Sequence, residues 1–112
     1  GRSMKARACQ EHHATPPEAC TSMAEVRAGV DATDRALMEL LDRRFAYMRA
    51  AARIKPERST VRDEARKAAV LASAGADAEQ RGLPVAALLE IWEQLVEASI
   101  TYELEEWDLL RR

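Results

Sequence analysis

The chain has 112 residues, of which 60 are Ala, Arg, Glu or Leu, while Val and Ile together number nine and Gly and Pro four each. That composition favours helix, argues against a β-sandwich, a barrel or a disordered chain, and suits one small domain. A net charge of −2 with acids and bases interspersed offers no basic face for nucleic acid or an anionic membrane, and no apolar run approaches a membrane span.

Residues 1–20 hold Cys9, His12, His13, Pro16, Pro17 and Cys20 without a hydrophobic period and are read as a flexible arm before a helical domain over 21–112. The Cys9, His12, His13 and Cys20 spacing fits no common zinc site, so neither a metal nor a cofactor is assigned. Residues 4–9 lack the apolar core of a secretory signal, which leaves the cytoplasm as the expected location. The first helix opens at Ser22, with Glu25 three residues on as a capping box, and stops at about Ile54, before Pro56. Segment 56–61 is the one substantial loop of the domain. The second helix begins near Arg62–Asp63 and ends at Gly82, a C′ glycine followed by Pro84. The third runs from Pro84 or Val85 to near Leu110. The fold class is therefore all-α, a three-helix chain with a long first helix. Thirty-odd residues span roughly 45–50 Å, more apolar stripe than two shorter helices can cover, so an intertwined helical dimer is expected.

Charges stand out on the inward lines. Steps of three and four along the first helix give Arg27, Val30, Asp34, Leu37, Leu41, Arg44, Met48, Ala51 and Lys55. Arg27 has Asp31 and Asp34 one and two turns on as local partners, and Lys55 sits at a helix end where a cation suits the dipole. Arg44 has no acid within a turn, so its partner must come from another helix or from a ligand. The third helix carries Val85, Leu89, Trp92, Val96, Ser99, Glu103, Glu106 and Leu110 on its inner line, and Glu103 has no base within a turn. Two readings fit: an interhelical Arg44–Glu103 salt bridge, or a polar pocket for an anionic ligand. Arg44 and Lys55 are about 16 Å apart along the helix and could converge on one small molecule. Arg27, about 25 Å from Arg44, would join them only from a second chain.

The order and spacing of several segments resemble the all-helical chorismate mutase family, which includes the isochorismate-pyruvate lyases. The resemblance covers roughly residues 16–108 and rests on Pro17-Glu18-Ala19-Cys20-Thr21, Ala24-Glu25-Val26-Arg27, Val30-Asp31 with Asp34, and Arg43-Arg44-Phe45-Ala46-Tyr47. It continues through Ala51-Ala52-Arg53-Ile54-Lys55, Val61-Arg62-Asp63 with Arg66, Gly82-Leu83 and Trp107. It implies an intertwined dimer with two equivalent pockets and a small dicarboxylate substrate. Arg44 and, across the interface, Arg27 would hold the substrate carboxylates, with Ser99 on a carboxylate. Lys55 and Glu103 would contact the ether oxygen, Asp63 would lie near the ring and hydroxyl, and Arg66 would line the same wall.

The implied activity is the rearrangement of chorismate to prephenate, with isochorismate-pyruvate lyase or a non-catalytic helical dimerisation module as alternatives. This chemistry needs no nucleophile; the protein clamps a compact conformer and stabilises charge on the departing oxygen. Two departures bear on it. Many relatives carry glutamine at Glu103, and an ionised carboxylate cannot donate a hydrogen bond, so activity is expected to be highest at acidic pH. Typical mutases place a glutamate at Lys67 for the substrate hydroxyl, whereas the lyases do not, and the Pro17–Thr21 segment is lyase-like.

Overall fold

Three helices follow one another in the computed structural model, which describes residues 14–112: α1 (Met23–Ile54), α2 (Glu64–Gln80) and α3 (Val85–Leu110). Short 3-10 turns stand at Pro17–Ala19 and Arg58–Thr60, and the described residues include no strand. Cys9, His12 and His13 lie outside the described residues. Cys20 is a free thiol, and no three His, Cys, Asp or Glu side chains among the described residues are grouped to hold a metal ion. Among the described residues no helix is long and apolar enough to cross a membrane. The chain divides into two compact units within α1, between Arg43 and Arg44.

In the first unit, the end of the segment read as an arm is a hydrogen-bonded turn. Ala19 N–H donates to the Pro16 carbonyl at 3.0 Å, and Cys20 N–H to that of Pro17 at 3.3 Å. The capping box then forms: Glu25 N–H donates to Ser22 Oγ at 3.2 Å, and Ser22 Oγ–H returns to Glu25 Oε1. The Thr21 amide and hydroxyl both reach Oε1 at 3.0 Å, and the Thr15 hydroxyl reaches Oε2. With the Thr21 amide as the largest contribution, followed by the Thr15, Thr21 and Ser22 hydroxyls, the Glu25 carboxyl falls from its ordinary 4.5 to about 2.

A carboxyl depressed by folding stabilises the fold above its ordinary pKa, and that contribution fades as pH falls through its folded value. Glu25→Gln is therefore expected to lower Tm at pH 7, with the difference from wild type narrowing between about pH 4.5 and about 2. An equal difference at pH 7 and pH 2 would contradict that linkage. Beyond the cap, the apolar seam of α1 is open: Val30, Leu37 and Leu40 are 52–63% exposed. A largely apolar cavity of about 540 Å³ lies between this part of α1 and the Pro16–Cys20 turn.

The second unit holds the end of α1, the Arg58–Thr60 turn, α2 and α3. Asp63 caps α2, its Oδ1 accepting the Arg66 amide at 3.0 Å. Gly82, at φ +70°, ends α2 in a Schellman closure, with Gly82 N–H donating to the Glu79 carbonyl at 3.1 Å and Leu83 N–H to that of Ala78 at 2.9 Å. A side chain at position 82 would be strained in that left-handed conformation. Gly75 lets α3 come close, since a Cβ there would stand 3.4 Å from Leu89 Cδ2. The buried cluster is Val61, Val96 and Ile100, flanked by Val70, Leu104 and Trp107. Each such aliphatic side chain contributes about 1.5–3 kcal/mol on full burial. Two polar residues are buried with them, Ser99 and Glu103, each 4% exposed.

The C-terminal end of α1 is closed by α3. Trp107 Nε1 donates to the Lys55 carbonyl at 3.0 Å; Arg111 donates to the carbonyls of Lys55 at 2.9 Å and Ala52 at 3.1 Å. These bonds satisfy carbonyls that a helix end otherwise leaves without partners. Pro56 stops the helix as the sequence predicts.

Candidate active site

A cavity of about 350 Å³ opens in the second unit, among the end of α1, the start of α2 and the middle of α3. It brings together Arg44 and Lys55 from α1 and its end, Asp63 and Arg66 from the start of α2, and Ser99 and Glu103 from α3. Met48, Val61, Val70, Val96 and Ile100 supply apolar wall. Six of the seven residues that the sequence assigns to substrate binding thus share one space. The seventh, Arg27, lies in the first unit and is not part of this lining. Among the described residues neither Asp31 nor Asp34 pairs with it, so the local ion pair considered for Arg27 is absent.

The acid on α3 chooses a different cation from the one that charge pattern offered. Arg44 and Glu103 form no salt bridge. Glu103 Oε2 instead stands 2.8 Å from Lys55 Nζ, at ion-pair distance but out of line for a hydrogen bond, so this buried oxygen lacks a donor. The Lys55 ammonium donates to the Val61 carbonyl at 3.3 Å. Lys55 sits just past the end of α1, and its ammonium meets both the Val61 carbonyl and Glu103 of α3.

Arg44 donates through Nη1 to the Ser99 hydroxyl, which itself donates a hydrogen bond to the Leu95 carbonyl at 2.6 Å. Among the described residues Arg44 has no carboxylate partner. Burial, and then the positive charge of Arg66, lowers its pKa below the ordinary guanidinium value. Arginine stays charged throughout ordinary pH, so both effects are costs borne by a cation, and an anion in the cavity would relieve both.

Asp63 and Arg66 face the cavity with part of their capacity already engaged, since the Asp63 carboxylate accepts the Arg66 amide as the α2 cap. Lys67 also lines the wall, yet its charge is answered from behind. Its ammonium lies 2.8 Å from both Glu93 and Glu97, which raises its pKa. Glu97 also accepts both arms of Arg62 at 2.7 and 3.1 Å; Arg62 first, and then Lys67, hold its carboxyl at about 2. The Lys67–Glu93–Glu97–Arg62 network was not anticipated. Its signal was the acid pair at i and i+4 on the third helix, which is uninformative until the second helix is placed beside it.

The cavity therefore holds cations in excess on an apolar wall, a hydroxyl beside the deepest guanidinium and one buried carboxylate against an ammonium. That arrangement suits a small polyanion with an apolar body. Comparison with known proteins agrees. The family model for chorismate mutase type II matches residues 26–104. The isochorismate pyruvate lyase of Pseudomonas aeruginosa is 30% identical over 91 residues, spanning 81% of this chain and 90% of the relative. Across most of its length, and on a cavity built from the residues that the pattern singles out, the chain belongs to the type II chorismate mutase family.

Proposed function

We propose that the protein converts chorismate to prephenate by clamping the substrate and stabilising charge on its ether oxygen, without metal or cofactor. The observation that carries this reading is Arg44: half-buried, pressed by Arg66 and without a carboxylate partner among the described residues, it is preorganised for a substrate carboxylate. In this reading Arg44 and Ser99 take one carboxylate, and Arg66 and Asp63 flank the ring and its hydroxyl. Lys55 and a protonated Glu103 address the oxygen on which charge develops as the C–O bond breaks. The second carboxylate is taken by Arg27 of a second copy of the chain. The open apolar seam of α1 and its 32-residue length support a dimer whose helices supply what one chain lacks.

A second reading, cleavage of isochorismate to salicylate and pyruvate, draws support from Lys67 in the cavity wall and from the relative named as a lyase. Both reactions require a carboxylate clamp and a cation at the ether oxygen. One assay separates them: purified protein is given chorismate and, separately, isochorismate, and prephenate, salicylate and pyruvate are followed. Prephenate as the dominant product is expected. Dominant salicylate would assign the lyase, and a folded protein that turns over neither substrate would leave a non-catalytic helical dimerisation module.

A further inference from the structure

Every fourth residue over the end of α3 touches Lys55. Glu103 meets its ammonium at 2.8 Å, Trp107 Nε1 donates to its carbonyl at 3.0 Å, and Arg111 Nη2 donates to the same carbonyl at 2.9 Å. Spacing of four sets these three side chains on one face of the helix. Arg111 also binds the Ala52 carbonyl at 3.1 Å, and its guanidinium carbon lies 4.1 Å from the centre of the Trp107 ring. The aromatic face thus holds the fork that holds the carbonyls. Lys55 needs such support more than an interior residue would. It follows the last residue of α1, and Pro56 behind it has no N–H with which to close the helix end.

We propose that Trp107 and Arg111 are positioning residues, which aim the Lys55 ammonium into the cavity by gripping the carbonyl of that same residue. Neither is among the cavity-lining residues, so they act through Lys55. The inference rests on the reading above that Lys55 works at the breaking bond. Because charge on that oxygen builds only towards the transition state, a mis-aimed ammonium costs turnover more than affinity.

Two measurements on the intact chain test the grip. In kinetics, Arg111→Ala is expected to lower kcat about tenfold with KM within about twofold, while Arg111→Lys recovers part of the loss because it can still cap a carbonyl. Trp107→Phe keeps the ring and removes the donor, and is expected to lose about as much. The control is Arg58→Ala, which removes a two-pronged contact to Asp108 on the same stretch of α3 without touching Lys55; its kcat should be unchanged. The second measurement needs no turnover. The chain has three lysines, so the ε-methylene NMR signals of ¹³C-labelled lysine can be assigned by loss in Lys55→Met. The paired Lys55 ε-protons, distinct while the stem is fixed, should merge in Arg111→Ala while those of Lys67 stay as they are. If the wild type turns over neither substrate, the functional reading fails and the NMR result alone decides the grip. Unchanged Lys55 signals in Arg111→Ala, or merged signals with undiminished kcat, would overturn the proposal.

Discussion

Lys55→Met is expected to lower kcat about 100- to 1000-fold, the usual consequence of removing one preorganised charge aimed at a developing oxyanion. Stability should fall as well, because Glu103 is 4% exposed and would keep a buried carboxylate without its cation. Breaking a buried pair in this way costs about 3–5 kcal/mol, and the 30% exposure of the Lys55 side chain places this case near the lower end. The two effects can be separated. In the double variant Lys55→Met with Glu103→Gln the stranded charge is gone, so Tm should return towards the wild-type value while turnover stays lost. Glu103→Gln alone has the opposite signature. An amide donates at every pH, whereas the acid donates only when protonated. Glu103→Gln is therefore expected to keep or raise kcat at neutral pH. A Glu103→Gln enzyme that loses most of its turnover would remove Glu103 from hydrogen-bond donation, and a Lys55→Met enzyme retaining more than a tenth of its kcat would remove Lys55 from the chemistry.

Arg44→Ala and Arg27→Ala are each expected to abolish turnover in homodimers while leaving the protein folded. Neither arginine pairs with a carboxylate among the described residues, so truncating either strands no opposite charge and costs the fold little. If each pocket takes Arg44 from one chain and Arg27 from the other, a dimer of one Arg27→Ala chain with one Arg44→Ala chain has one pocket lacking both residues and one intact. Refolding an equal mixture gives half of the dimers in this mixed form, so about a quarter of wild-type activity should return. Sedimentation of the same sample at twice the 12.5 kDa chain mass would confirm that dimers carry the activity. A mixture as inactive as its parents would refute the shared pocket.

Much of this architecture was legible along the chain because its signals are local. Ser22 with Glu25, Pro56, and Gly82 before Pro84 fix helix ends by capping chemistry that acts within a few residues, and α1, α2 and α3 begin and end close to those marks. The same holds for the unusual charges: Arg44, Ser99 and Glu103 stood out on inward lines, and the structure gathers them in one cavity. Pairing was not legible. Glu103 could be matched to Arg44 or Lys55 only by knowing the axial offset of α3 against α1, and that offset is set by contacts across more than fifty residues of chain, such as Trp107 and Arg111 on the Lys55 carbonyl. Asp63 illustrates a related limit, since a residue assigned to the substrate wall also caps α2.

The charged wall behind Lys67 has a consequence for substitution at that position. Glu93 and Glu97 answer the cation at that position, and Arg62 balances Glu97 in turn. Lys67→Glu would crowd a third carboxylate beside two others, with Arg62 left as the single balancing charge. A loss of activity in that variant would then report electrostatic conflict rather than substrate preference. The charge at position 67 is thus tied to three other residues, and reversing its sign without conflict requires replacing Glu93 or Glu97 as well.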